Sequence, residues 1–87
     1  MKYHIEYSEK VRRVDAPNIP EAHRAQIERA INERLATAPL DFGKPLRHNL
    51  NGMRSLRVGS WRIGYFVEAE TVTINHIELR RDAYKDW

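Results

Sequence analysis

In the stretch LRVGSWRIGYFV (Leu56–Val67), Arg57 and Arg62 flank a Gly59-Ser60 pair. A two-residue loop at that pair sets Arg57 directly opposite Arg62 on neighbouring strands. Like charges facing each other across an antiparallel ladder destabilise it, so the pairing calls for an anion between them. A planar guanidinium presents paired N–H donors to phosphate oxygens, and two on one face can grip one phosphate or two successive ones. The same side chains could instead make ordinary surface pairs with Glu68 or Glu78. Five basic residues and no acidic one lie between Lys44 and Arg62, which favours the anion.

Other candidate groups cluster with these two. The C-terminal ELRRDAYKDW brings Arg80, Arg81 and Tyr84. A tyrosine beside arginines can stack on a base and offer its hydroxyl to a phosphate or ribose, or it can cap the edge of the core. Arg47, His48 and Arg54 extend the basic stretch, and His48 is the histidine placed for proton transfer. His76 sits in a strand pattern and reads as structural. No metal-ligand spacing, phosphate-binding glycine loop or GxSxG motif is present, so neither a metal nor another cofactor is expected.

The charge distribution supports the same partner class. Residues 1–43 carry seven Lys/Arg and seven Asp/Glu, so the net charge of +3 comes entirely from the second half. That is the footprint for a polyanion or an acidic protein. The absence of cysteine excludes disulfides and thiolate metal sites. No apolar run is long enough for a signal peptide or a membrane span, so no membrane partner and a cytoplasmic location are expected.

The elements that must position these residues follow from periodicity. With 87 residues, a single domain over 1–87 with a small core is expected. Tyr3, Ile5 and Tyr7 alternate with polar residues as a half-buried strand. Residues 10–19 read as an irregular connector in which Val11 and Val14 tuck under the core. Pro20 suits a first helical position. Ile27, Ala30, Ile31 and Leu35 then recur at helical spacing, until Pro39 biases Ala38 away from helical angles near Thr37. Pro39–Gly52 reads as a turn-rich connector anchored by Leu40, Phe42, Leu46 and Leu50. Strands are expected at Arg54–Val58, Trp61–Val67 and Thr71–Leu79. The fold class is therefore α+β, in the order β-α-β-β-β, with a twisted, mainly antiparallel sheet and the helix on one face. Alternation places Leu56, Val58, Trp61, Ile63 and Tyr65 toward the helix. Arg57, Arg62, Gly64 and Phe66 share the other face, where the glycine leaves open space. Parity puts Arg54 on the core side.

The block FGKPLRHNLNGMRSLRVGSWRIGYFV followed by RRDAY resembles the RelE/ParE superfamily of type II toxins, and the likeness extends from YHIEYS to Tyr84. The resemblance implies a toxin neutralised by a cognate antitoxin with an acidic, amphipathic segment. Operator DNA is then bound only through the complex. RelE-like members are ribosome-dependent mRNA endonucleases in which the RNA 2′-OH attacks its adjacent phosphate without a metal. ParE-like members instead inhibit DNA gyrase, and a degenerate member would only bind its antitoxin. By analogy, Arg62 corresponds to the arginine that neutralises the transition state, and Arg57 to a second basic position. Arg80 matches the arginine four residues before the terminal tyrosine, and Tyr84 matches that tyrosine. Met53 and Ser55 stand where well-studied members carry lysines, and Glu78 stands where a further arginine is sometimes found. The general base then falls to Lys44, with Arg54 or His48 nearby. Arg47, His48, Arg54 and Arg81 are expected to contact RNA.

Overall fold

A computed structural model describes residues 2–46 and 52–82. β1 (His4–Tyr7) leads, its Tyr3, Ile5 and Tyr7 side half-buried against the core. The next segment is helical, where an irregular connector was expected. A π-type turn over Val11–Asp15 runs into a 3₁₀ turn over Ala16–Asn18. Ser8 starts this segment, because its Oγ accepts the Val11 N–H at 3.2 Å. Pro17 does not stop it, since it occupies the opening of the 3₁₀ turn, where its missing N–H costs nothing. Val11 is buried as expected, whereas Val14 is about half exposed because it faces away on the wide turn.

α1 (Glu21–Ala30) follows, prolonged by a π-type turn over Ile31–Leu35. Pro20 precedes the helix rather than opening it. Its ψ of 140° is non-helical, and its carbonyl accepts the His23 and Arg24 N–H groups at 2.9 and 3.1 Å. Ala38, with φ −145° and ψ 64°, leaves helical angles ahead of Pro39 as expected. Two elements were not foreseen in the Pro39–Gly52 stretch: a single turn, α2 (Pro39–Phe42), and a two-residue edge strand, β2 (Lys44–Pro45). Leu40 and Phe42 are about half exposed rather than anchoring, because α2 is too short to bury more than Pro39.

β3 (Arg54–Val58), β4 (Trp61–Glu68) and β5 (Thr71–Leu79) form where alternation places them. The sheet order is β1-β5-β4-β3-β2, with β1 parallel to β5 and every other pair antiparallel. The five strands and the added helical turns keep the α+β class and enlarge the expected order by one strand. Ile27, Ala30, Ile31 and Leu35 pack on Leu56, Val58, Trp61, Ile63, Tyr65, Val72, Ile74 and Ile77 as one core. No helix among the described residues is long and apolar enough to cross a membrane.

Two turns set the register. Gly59, at φ +58°, supplies the left-handed first position of the β3–β4 loop, closing Val58 on Trp61. The β4–β5 loop instead places Ala69 at φ +54°, a conformation that costs an L-residue about 1–2 kcal/mol. Ala69→Gly is therefore expected to raise stability by about 0.5–1 kcal/mol, net of its added unfolded-state entropy. Chemical denaturation checks this, and an unchanged or lower midpoint would contradict it. In β5, Gly64 pairs with His76 but Tyr65 with Ile74, so Asn75 is an extra residue. This bulge lets Ile74 and Ile77 both face the core and turns His76 and Glu78 to the face of Arg62.

Candidate functional site

The hairpin brings Arg57 and Arg62 into direct register, as the loop length requires. Two neighbouring cross-strand rows cover this face. One runs Lys44, Ser55, Gly64, His76, and the other Arg57, Arg62, Glu78. Gly64 is buried, so it does not leave the open floor expected of it.

Two depressions meet at Arg57. The first, about 370 Å³, is walled by Arg34, Phe42, Lys44, Arg57 and Arg62. The second, about 660 Å³, is lined by Arg57, Ser60, Arg80 and Arg81. Its arginines are set by the Arg80 N–H, which donates to the Ser60 carbonyl at 2.7 Å and ties the 3₁₀ turn Arg80–Asp82 to the hairpin loop. Among the described residues lining the two depressions there is no carboxylate. The arrangement concentrates positive charge and N–H donors over adjoining hollows, which suits a chain of phosphates.

Lys44, Arg57, Arg62, Arg80 and Arg81 are thus brought together. Arg54 lies apart from them. Its Nη2 donates to the Leu40 and Gly43 carbonyls at 2.9 and 2.6 Å, which pins the corner between α2 and β2. Tyr84, Arg47 and His48 lie outside the described residues. Sequence reasoning missed Arg34 and Phe42. Arg34 follows Ile31 by three positions, at the margin of the apolar helical stripe, where a side chain can reach the sheet edge. Phe42 stands two residues before Lys44, and its ring is about half exposed beside the cations.

A second cluster borders this face. Lys10 Nζ donates to Glu78 Oε2 at 2.7 Å, Asp15 Oδ2 at 2.9 Å and His76 Nδ1 at 3.0 Å. The three ligand atoms lie within 4.8 Å of one another, and the ammonium sits where a metal ion would. Buried Asp15 also accepts the Ile77 N–H at 3.0 Å, satisfying an amide on the part of β5 beyond its pairing with β1. His76 Nδ1 lies 3.2 Å from Glu78 Oε2, and one ammonium gathers both as acceptors. Burial and then the Lys10 charge push the His76 pKa below 6.5, against the pull of Glu78 and Asp15, which favours the neutral imidazole. For Lys10, burial works downward, but the bonds to Glu78 and Asp15 outweigh it and raise the pKa above 10.5.

These shifts fix a pH window. A depressed histidine pKa contributes stability above pH 6.5 that is lost as pH falls below it, and a raised lysine pKa contributes below pH 10.5 and is lost above. The thermal midpoint should therefore fall on acidification through pH 6.5, and His76→Gln should flatten that limb. An acid limb of equal depth in the variant would remove His76 as its source.

The chain is 34% identical over 87 residues to toxin RelG of Mycobacterium tuberculosis, spanning 98% of this chain and 99% of that protein. It is 32% identical over 85 residues to toxin RelE of the same organism, spanning 95% and 87%. Among solved structures it superposes on a chain of the M. tuberculosis toxin–antitoxin complex RelBE2. The TM-score is 0.83 at 31% identity, over 94% of this chain and 95% of that one. The archaeal RelE–RelB complex from Pyrococcus horikoshii gives a TM-score of 0.72 at 21% identity, over 95% and 100%, which is a likeness of fold. No protein-family model matches.

Proposed function

The chain belongs to the RelE family of toxins of toxin–antitoxin systems, and from that premise we propose that it cleaves mRNA on translating ribosomes. The opposed Arg57 and Arg62, at the meeting of two basic depressions, are the observation that most supports this reading. In the proposed step the 2′-oxygen of one nucleotide bonds to the adjacent phosphorus and the bond to the 5′-oxygen breaks. The 2′-hydroxyl proton is taken up, and a proton is delivered to the departing 5′-oxygen. The products are a 2′,3′-cyclic phosphate and a 5′-hydroxyl.

Arg62 and Arg57 neutralise the extra charge of the pentacoordinate phosphorus, with N–H donors already in place before the charge develops. A guanidinium does not give up its proton, so these arginines supply charge and not base. Lys44, on the wall of the first depression, is the group proposed to move protons. Arg80 and Arg81 hold phosphates on one side of the scissile bond, with Tyr84, Arg47 and His48 as further proposed RNA contacts. Arg54, bound to two carbonyls, serves to hold Lys44's strand in place.

The solved relatives include RelE chains with RelB antitoxins. By that likeness, an acidic antitoxin segment is proposed to lie across the same cations, with its apolar side against the exposed Leu40 and Phe42. Operator DNA is then approached through the complex.

The test of the reaction is the chemistry of the cut ends. Fragments made on programmed ribosomes should carry 5′-hydroxyls that a polynucleotide kinase labels without prior phosphatase. Ends with 5′-phosphates would rule out attack by the 2′-oxygen. Intact mRNA from cells whose growth nonetheless stops would point to a target such as gyrase.

A further inference from the structure

Phe42 ends α2 with its ring about half exposed, outside the hydrophobic core and the partly buried side chains packed on it. The turn that carries this ring is nevertheless braced on both sides. The Phe42 N–H donates to the Ala38 carbonyl at 3.1 Å. The buried Tyr65 hydroxyl donates to the Pro39 carbonyl at 2.6 Å, and Arg54 Nη2 holds the Leu40 and Gly43 carbonyls at 2.9 and 2.6 Å. The fold thus fixes the backbone around a large apolar side chain that adds nothing to its core. Leu40 is similarly exposed on the same turn, but only Phe42 lines the first depression.

There the ring shares a hollow of about 370 Å³ with Arg34, Lys44 and Arg57, and no carboxylate is among the described lining residues. A flat apolar face beside cations matches the two halves of a nucleotide. Phosphate oxygens take the charges, and the base, which has a π-face whatever its identity, takes the ring. Lys44 stands two residues further along the chain, so a base on the ring keeps its own sugar and phosphate near that lysine. Cations alone would hold the backbone without fixing which phosphate sits at Lys44.

We propose that Phe42 is a stacking platform for one base of the mRNA codon, which sets the scissile phosphate in register with Lys44 and Arg57. The proposal rests on the nuclease reading above and adds the contact that aligns its substrate. Phe42 takes no part in the proton transfers. The antitoxin segment proposed to lie on the same ring would exclude the base from it.

Phe42→Leu keeps an apolar side chain but removes the flat face. Its kcat/KM on programmed ribosomes should fall roughly 5- to 100-fold, the loss of one base–aromatic stack, while Phe42→Trp should stay within about threefold of wild type. Thermal midpoints of both should stay near that of wild type, because the ring lies outside the core. A substrate cycle then isolates the contact. An abasic nucleotide placed at each A-site codon position in turn should, at one position, slow the wild-type protein by the same factor and leave Phe42→Leu no slower. Losses that multiply at all three positions would overturn the proposal. So would a Phe42→Leu protein that cuts at the wild-type rate and only binds its antitoxin less tightly.

If Phe42→Leu does not fold, photocrosslinking of the wild-type protein decides the matter, on ribosomes programmed with 2′-O-methyl mRNA carrying iodouridine in the A-site codon. An adduct mapped to Phe42 supports the platform, and adducts confined to other side chains refute it. A wild-type protein that cuts no mRNA would sink the nuclease reading instead. The same crosslink, which needs no cleavage, would then still report whether Phe42 meets a base.

Discussion

Arg62→Ala is expected to slow mRNA cleavage roughly 100- to 1,000-fold, the usual loss on removing one fixed donor from a developing oxyanion. The physical reason lies in the register: Arg62 faces Arg57 across the ladder, and both line the first depression with Lys44 and Arg34. Stability should change by less than about 1 kcal/mol, because the side chain is only half-buried on the face of the sheet opposite the core. Such an outcome separates catalysis from folding in a single variant. Arg62→Lys keeps the charge but loses the planar fork, so its rate should fall between the two. Rates on programmed ribosomes and urea denaturation of the same preparations are the measurements. An Arg62→Ala protein that cuts at the wild-type rate would remove the arginine from the mechanism.

Gly43→Ala is expected to be the most damaging small substitution for the fold. Gly43 is buried, and a Cβ there would overlap the hydroxyl of Tyr65. That tyrosine is fully buried, and its hydroxyl donates to the Pro39 carbonyl at 2.6 Å. Arg54 is bonded to the Gly43 carbonyl itself. The added methyl must therefore expel the ring or peel β2 from β3, losing packing and at least one buried hydrogen bond. The cost should be about 3 kcal/mol, a fall in thermal midpoint of roughly 15 °C for a chain of this size. Tyr65→Phe in the same background removes the clashing oxygen and should recover part of the loss. Because Lys44 follows Gly43 directly, cleavage should also drop at temperatures where the variant is still folded. A Gly43→Ala protein as stable as wild type would mean that this corner yields without cost.

The paired arginines were legible in the sequence because a two-residue loop and strict alternation leave one register, and that register also fixed the core face of β3 and β4. Alternation misleads only where it is interrupted. The extra residue at Asn75 reverses the faces of β5, and no local pattern announces it. β2 was hidden because two residues, one of them proline, carry no period, although an edge strand tolerates them. The helical segment around Val11–Asp15 was obscured by Pro17 and Asn18, read as breakers where the chain uses the proline to open a tight turn.

The role of Asp15 was beyond any local reading, since its amide partner lies 62 residues away. Parity did place Arg54 on the core side. Its carbonyl partners, however, come from a corner whose geometry depends on the unforeseen α2 and β2. Arg34 and Phe42 became site residues only when the helix end and that corner converged on the edge of β3. What remained illegible in each case was a long-range meeting between short elements.

The central claim is that this chain cuts mRNA by placing a phosphate between cations of which Arg62 is the chief. Primer extension on a reporter mRNA in a translation extract, comparing wild type with Arg62→Ala, tests it most directly. Breaks that need ribosomes, fall within A-site codons and vanish in the variant are the predicted result. Full-length mRNA with the wild-type protein, under conditions where a RelE toxin cuts, would contradict it.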